Sequence, residues 1–549
     1  MKSDYPVIQA DILIIGGGSA GSMAAIRAKE LNPKQEVVVF EKGDMKYSGS
    51  IARGMDALNI VAVPGVSDPE TYVEAMEIFT EGVLDVPVSY TLAARSYELM
   101  KKLESWGVCF PTDEKGNYDI LKGHPKGKFI LTMKEPELKT MLHKRCVELG
   151  VRVINRTMAV RLLKTGNDVT GAIGINVRSG EIIVCQAKAV ILSNGGTARF
   201  GLPANGNLYG IYDYPGNTGD GYCLALSAGA ELSGFEYTVT YYIVKDINAP
   251  MLFITLTRGA QLYNALGEAF HKGHPGMMTM IDEHNAGRGP MRIRMNHLPE
   301  ETIQEIEELL FTTERPACQR FYEGRGIDFR TGDVELSPTE IFLCGGHGLT
   351  GIRINEKAES SIPGLYAAGD TALCARGHLS GAFVYGEIAA EFGTERASSC
   401  NHMDLDTSLV DEFLKDKTDK LNQGDNKVPI EEFEYKIRRI ITDYLTPPKN
   451  EYKLDRALWW MNRFKEEFTH IPRIKTIHDL FKAYEVENII QCAELNALAS
   501  KERKESRWGV WHQRTDYPDK DDANWCKHII LSRENRSKKI NVTHKEVIR

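Results

Sequence analysis

The apolar positions follow two rhythms that change places along the chain. Ile12 to Ile15 form an unbroken apolar run, the pattern of a strand covered on both faces. Gly16, Gly18 and Gly21 follow at once, and Ala24, Ala25 and Ala28 then recur at helical spacing. Val37 to Phe40 reads as a second strand. Residues 70 to 108 read as helices, with Tyr72, Met76, Ile78, Leu92, Leu99 and Leu103 in step, and residues 136 to 148 repeat that pattern. Val151 to Ile154, Ala159 to Leu163, Val169 to Val177 and Glu181 to Val184 then run or alternate between glycine breaks, as a strand and a β-meander do. Ala187 to Leu192 reads as a further strand, ending in Ser193-Asn194-Gly195-Gly196. Strands in turn with helices predict an α/β fold.

The second half changes character. Residues 216 to 232 form a glycine-rich turn leading into a helix, where Asn217 and Asp220 are either caps or ligand contacts. From 235 to 340 the rhythm is broken by aromatic clusters (Tyr237, Tyr241, Tyr242) and a charged helix at 299 to 309, which predicts an inserted α+β capping domain. Residues 343 to 355 and 362 to 370 return to strands and glycines, and Gly381 to Ala390 opens a helix. From about 400 the chain is polar and helical. The division expected is 1–234 and 341–398 for two parts of one domain, 235–340 for the cap, and 399–549 for a C-terminal helical domain and partner-binding tail.

The chemistry begins at Gly16, Gly18 and Gly21. Their G-x-G-x-x-G spacing lies between a strand and a helix, and Glu41 ends the second strand about 20 residues on, where a ribose-binding acid belongs. One glycine permits the turn, one lets a pyrophosphate approach, and one lets the helix pack on the strand. A Rossmann-type dinucleotide site follows. The 549 residues are enough for several structural units, and the formal net charge of −8 gives no reason to expect nucleic acid. The ten cysteines (109, 146, 185, 223, 318, 344, 374, 400, 492 and 526) include no C-x-x-C pair, so no metal or cluster site is expected. No apolar run is long enough for a transmembrane segment, and the start lacks a secretory pattern; a cytoplasmic location is expected.

The ordered set GGGSAGSMAA, Glu41, NTGDG, TRGAQLYNALGEAF and GLYAAGD resembles the flavoprotein subunits of the fumarate reductase and succinate dehydrogenase superfamily. Residues 504 to 518, KESRWGVWHQRTDYP, followed by Trp525, are similar to the ending of adenylylsulfate reductase α subunits. The resemblance implies FAD in the Rossmann-type domain, a cap closing over substrate, and a hetero-oligomer with a ferredoxin-like iron–sulfur β subunit for partner. It implies cofactor contacts at Gly16, Gly18, Ser19, Ala20, Gly21, Glu41, Lys42, Ser48, Gly54, Asn59, Gly196, Asp220, Gly369, Asp370, Ser380 and Phe383. Gly49 stands where fumarate reductases carry the histidine that links FAD covalently, so non-covalent FAD is expected.

Arg258, in TRGAQLYN, matches an arginine that delivers a proton in fumarate reductases; as a permanent cation it also suits an electrostatic clamp. His347, in CGGHGLTG, resembles the family's active-site histidine. His378 falls near a substrate-binding position, with Arg376 two residues away. The substrate-gripping sets of the resembled enzymes are incomplete: Tyr209, Thr238 and Ile243 occupy the neighbourhood where adenylylsulfate reductases hold the nucleotide. The expectation is an FAD-dependent oxidoreductase subunit, adenylylsulfate-reductase-like, acting on a small anionic or polar substrate. The alternatives are a fumarate reductase/succinate dehydrogenase type, a stand-alone L-aspartate-oxidase type, and a non-catalytic FAD-binding subunit.

Overall fold

The computed structural model describes residues 5–203, 213–247, 249–271, 277–314, 317–422, 428–533 and 539–549. At its centre lies a seven-stranded sheet. The strands 152–155, 37–41, 7–15 and 182–192 run side by side and parallel, and 365–367 adds to the far end of 182–192. Register is set by apolar pairs: Ile14 faces Val39 on one side and Ile191 on the other. Both faces are covered, so Ile12, Leu13, Ile14, Val37, Val38 and Val190 are fully buried. The strand Ile182–Leu192 is one continuous element, where two were expected. Gln186 and Lys188 alternate outward without a turn residue between them, so nothing interrupts it. Its first half pairs antiparallel with Asp168–Asn176, and most of its length pairs parallel with Val7–Ile15.

Helix Ser19–Leu31 packs against helix His378–Ser399 across the sheet face. They approach so closely that a methyl group at Gly386 would lie 2.5 Å from the Ala20 carbonyl oxygen. Between the two stretches of this layer, a second hydrophobic core runs from Tyr242 to Leu336. It is built on a five-stranded sheet in the order 242–244, 334–338, 291–294, 261–263, 269–271, with Tyr322, Phe329 and Ile306 packed upon it. The charged helix there spans Glu300–Glu308 and continues into a wider turn over Leu309–Glu314.

Four longer helices follow: Thr407–Leu421, Ile430–Leu445, Glu451–Glu467 and Ile477–Glu502. The last opens on a capping box, Thr476 with Asp479, and is buried around much of its girth. Beyond it the chain departs from the helical tail expected. Lys527–Arg533 and Ile540–Glu546 form an antiparallel hairpin that joins 232–233 and 351–352 in a four-stranded sheet. Ile529, Ile530, Leu531 and Val542 supply a β rather than a helical period.

The tail is fastened by charge in the interior. Arg503 and Glu505 are fully enclosed, and Arg507 almost so. Arg503 bonds to Glu236 at 2.9 Å, to Glu505 at 2.9 Å and to the Trp525 carbonyl at 2.7 Å. Arg507 bonds to Glu505 at 2.6 Å and to Asp522 at 2.7 Å. Beside them Lys449 donates to Thr238 at 2.7 Å and to Ser500 at 2.8 Å, and its main chain brackets Gln513 and Thr515.

Removing one partner of a buried ion network strands the other charges. Glu505→Ala is expected to cost about 3–5 kcal/mol, read as a lower urea midpoint at unchanged m-value. Lys449 gives a second expectation. Burial pulls its ammonium down to about 7, whereas the unfolded lysine holds its proton to its ordinary, much higher value. The unfolded chain therefore binds more protons between those limits. Stability should climb with pH above 7 by roughly 1.4 kcal/mol per unit from this group, with no such slope below 7. Lys449→Met should flatten that slope in urea titrations at pH 6, 8 and 9.

Candidate functional site

The glycine turn after the first strand is shaped by two backbone contacts. Gly16 has φ +101°, and a methyl group there would lie 2.4 Å from the Ser193 carbonyl oxygen. One at Gly21 would lie 1.8 Å from the Gly16 carbonyl oxygen. These two glycines are required by the fold itself. Gly18 differs. Its φ of −68° suits any residue, and a methyl group would meet no atom within 4 Å. The space beside Gly18 opens on a cleft lined by Ser19, Glu41, Asn194 and Gly369 among others.

Glu41 closes the turn. Its carboxylate accepts from the Gly17 and Gly43 amides, each at 2.7 Å, and keeps one edge on the cleft. Lys139, from helix Leu138–Glu148, reaches under the glycines to the Gly17 carbonyl and to Ser22 at 3.2 Å. Burial pulls its ammonium down to about 8. Lys42 sits on the opposite wall between Asp220 at 2.8 Å and Glu485 at 2.9 Å. The two carboxylates offset its burial and raise its affinity for the proton. Asp220 also accepts from Thr218 and Asn488, so it is neither a helix cap nor a free ligand group; Gly219 holds the cap position.

Of the cofactor contacts expected from the sequence, Gly16, Gly18, Ser19, Ala20, Glu41, Lys42, Asn59, Asp220, Gly369 and Asp370 line this cleft. Gly21, Ser48, Gly54, Gly196, Ser380 and Phe383 stand outside that lining. Ser380 accepts from the Ile60 amide at 3.0 Å, and Phe383 is fully buried. A methyl group on Gly196 would strike the Leu343 carbonyl oxygen at 2.3 Å. Asn194 and Asp213 also line the cleft without having been singled out for it. The Asn194 Oδ1 and Ser48 Oγ atoms are buried with no hydrogen-bond partner in the protein. Such atoms want a ligand. The open space at Gly18, the carboxylate of Glu41 and the Asn194 oxygen together fit a dinucleotide.

At the other end of the cleft stand His347 and His378, ring centroids 4.9 Å apart and nearly perpendicular. Their loops are zipped together by main-chain bonds: His378 donates to Gly346 and Arg376 to Gly348. Arg376 and His378 both adopt φ of +48°, a left-handed backbone that costs energy in residues with a side chain. Burial, together with the neighbouring His347 and Arg376, pushes the His378 imidazole well below its usual range, so it is neutral at pH 7. Tyr241 donates its hydroxyl to the His347 carbonyl at 3.1 Å. His124, which no motif singles out, holds the Asn59 carbonyl at 3.2 Å and is pushed down to about 4 by burial.

Arg258 is not brought to this cleft. It follows the short helix Leu252–Leu256 on the cap, where the neighbouring charged helix presents Glu305; the two pair at 2.8 Å. A second bond runs to the Ile254 carbonyl at 3.0 Å. Thr238 and Ile243 are buried, Thr238 against Lys449 and Asn496. Tyr209 lies outside the described residues.

The contrast between two glycines is testable. Gly18→Ala should leave the melting temperature of the cofactor-free chain within about 2 °C while weakening dinucleotide binding at least tenfold, roughly 1.4 kcal/mol. Gly21→Ala should fail in both respects. Thermal melts and binding titrations of the two variants check this.

Comparison with known proteins agrees with this geometry. An uncharacterized FAD-dependent oxidoreductase of Methanocaldococcus jannaschii is 25% identical over 95% of this chain and 96% of its own. One of the subunits of fumarate reductase (CoM/CoB) from Methanothermobacter marburgensis is 24% identical over 96% of this chain and 97% of its own. The adenylylsulfate reductase structure from Archaeoglobus fulgidus superposes with a TM-score of 0.88 at 23% identity, covering all of this chain and 97% of that one. The pattern of fumarate reductase flavoprotein C-terminal domains matches residues 434–549. Residues 11–386 match that of the FAD binding domain, and the chain belongs to this family of FAD-dependent oxidoreductases.

Proposed function

We propose that this chain is the flavoprotein subunit of a reductase that receives electrons from a ferredoxin-like iron–sulfur partner and passes them to a small anionic or polar substrate between flavin and cap. The observation that carries the reading is the His347–His378 pair at the far end of the dinucleotide cleft, on two loops bonded to each other through main chain, the one at 376–378 with a strained backbone. When bound, FAD supplies two-electron redox chemistry at its ring. The protein supplies position and protons. Glu41 accepts ribose hydroxyls, and the amides at the start of helix Ser19–Leu31 take the diphosphate. Gly49 at the linkage position favours non-covalent attachment. His378, neutral, offers a ring N–H to the substrate without adding charge. His347 carries the proton that completes the reduction. The Methanothermobacter relative is one subunit of its enzyme, which supports a multi-subunit assembly here. Ten free cysteines support the cytoplasm as its compartment; no helix among the described residues is long and apolar enough to cross a membrane.

The test is stopped-flow reoxidation of the photoreduced holoprotein by fumarate, by adenylylsulfate and by unsaturated monocarboxylates. One acceptor is expected to reoxidise the flavin faster than air does. His347→Asn should slow that step by about 10²–10⁴-fold, the scale of one general acid, with flavin content unchanged. Rapid reoxidation in air with peroxide release would instead make the protein a stand-alone oxidase. Full speed in His347→Asn would remove the histidine from the chemistry.

A further inference from the structure

One peptide unit on the wall of the cleft stands out of its ladder. Ala57 and Leu58 pair antiparallel with Thr132 and Leu131, so regular pairing would bring residue 60 opposite residue 129. The Val61 amide takes the Phe129 carbonyl instead, at 2.8 Å. Asn59 and Ile60 thus stand together opposite Ile130, which is a β-bulge. Bulges re-aim side chains, and often do so beside active sites. Here Leu58, Ile60 and Val61 are all fully buried, while Asn59 is left to line the cofactor cleft. Its carboxamide carries two donor hydrogens and an acceptor oxygen.

The peptide between Asn59 and Ile60 is held at both ends by side chains from distant segments. Its carbonyl receives His124 Nε2 at 3.2 Å, and its amide donates to Ser380 Oγ at 3.0 Å. A carbonyl only accepts, so Nε2 of His124 carries the ring's proton. Burial and the charge of Arg376 pull this imidazole down to about 4, so it donates as a neutral ring at pH 7. Its plane is fixed edge-on between Tyr72 at 5.7 Å and Phe129 at 5.5 Å. Its loop is confined too: a methyl group on Gly123 would strike the Ile130 side chain at 2.0 Å. Both holding groups belong to the histidine end of the cleft. Ser380 is two residues from His378, and His124 is close enough to act on the His378 ring. A buried carbonyl that loses its donor pays the full cost of desolvation, and the peptide turns to escape it.

We propose that His124 is a positioning residue for the cofactor: with Ser380 it clamps the 59–60 peptide, and so presents the Asn59 carboxamide to the ligand at the histidine end of the cleft. The proposal rests on the flavoenzyme reading above, which puts the flavin ring at that end. His124 touches neither flavin nor substrate in this role; it acts through Asn59.

Visible circular dichroism of the FAD-loaded protein, together with FAD dissociation constants, tests it. His124→Phe keeps the aromatic packing and removes the donor. It is expected to weaken FAD about three- to tenfold, the scale of one lost hydrogen bond, and to change the flavin dichroism in the same sense as Asn59→Ala. The double variant should be no worse than Asn59→Ala alone, because both substitutions act at one contact. His124→Gln, whose carboxamide N–H takes the place of the ring N–H, should restore the spectrum. Ser380→Ala frees the other end of the same peptide and should move the spectrum the same way; it carries the test should His124→Phe not fold. A flavin spectrum unmoved by His124→Phe and Ser380→Ala, or losses in the double variant that add to those of Asn59→Ala, would overturn the proposal and leave His124 a packing residue. An unsubstituted chain that takes up no FAD would defeat the flavoenzyme reading instead, which separates the two failures.

Discussion

Three stretches of main chain meet at the end of the first strand with no room for a side chain between them. Gly16 lies against the Ser193 main chain and Gly21 against the Gly16 carbonyl, and the Ser193 hydroxyl fixes the arrangement by donating to that carbonyl at 2.7 Å. Everything at the cleft takes its position from this crossing. It sets the start of helix Ser19–Leu31, whose unsatisfied amides and dipole create a place for negative charge. It also fixes the distance to Glu41, whose two oxygens tie the glycine turn to the turn after the second strand. A methyl group at either crossing glycine cannot be absorbed by a rotamer change, because the atoms it would strike belong to the backbone.

The second determinant is the way buried charge joins distant parts of the chain. Helix Ile477–Glu502 carries Lys482, Glu485 and Asn488 to the wall that Lys42 and Asp220 form, and Arg199 and Glu434 complete the set. Arginine–carboxylate groups fix the tail in the same manner. Such networks add little net stability over an apolar core, yet each is intolerant of losing a member. What they supply here is placement. A helix whose Glu485 lies some 440 residues beyond Lys42 is held in one orientation against the first βα unit, and the tail delivers Trp511 between Tyr237 and Phe79.

Much of this was legible in the residues. The strand–glycine–helix order, the acid at 41 and the return to strand and glycine near 343 to 370 are local patterns with local causes, and they sit where the period of apolar positions puts them. Asp220 shows where local reading stops: a carboxylate at a helix start reads as a cap or a ligand contact until a lysine from elsewhere claims it. Arg258 is the same lesson in reverse, since its partner Glu305 lies on a neighbouring helix whose approach no motif announces. His124 and Trp511 enter through pairings between segments far apart in the chain, for which a single sequence carries no signal. The tail hairpin is masked by the tryptophans and charges around it, which outweigh the short alternation at Ile529 and Val542.

The late segments have a bearing on the order in which the parts are made. The turn at 80–86 receives Trp508, Arg507, Cys526 and the Ile548 amide, and 232–233 receives the strand at 527–533. A growing chain leaves the ribosome in sequence order and folds its early parts first. The crossing of Gly16, Gly21 and Ser193 is therefore laid down while about 350 residues are still to be synthesised, but the cleft beside it waits for Gly369, Asp370 and His378. The tail at Trp511 comes later still, after helix Ile477–Glu502 has brought Glu485 to Lys42 on the cleft wall.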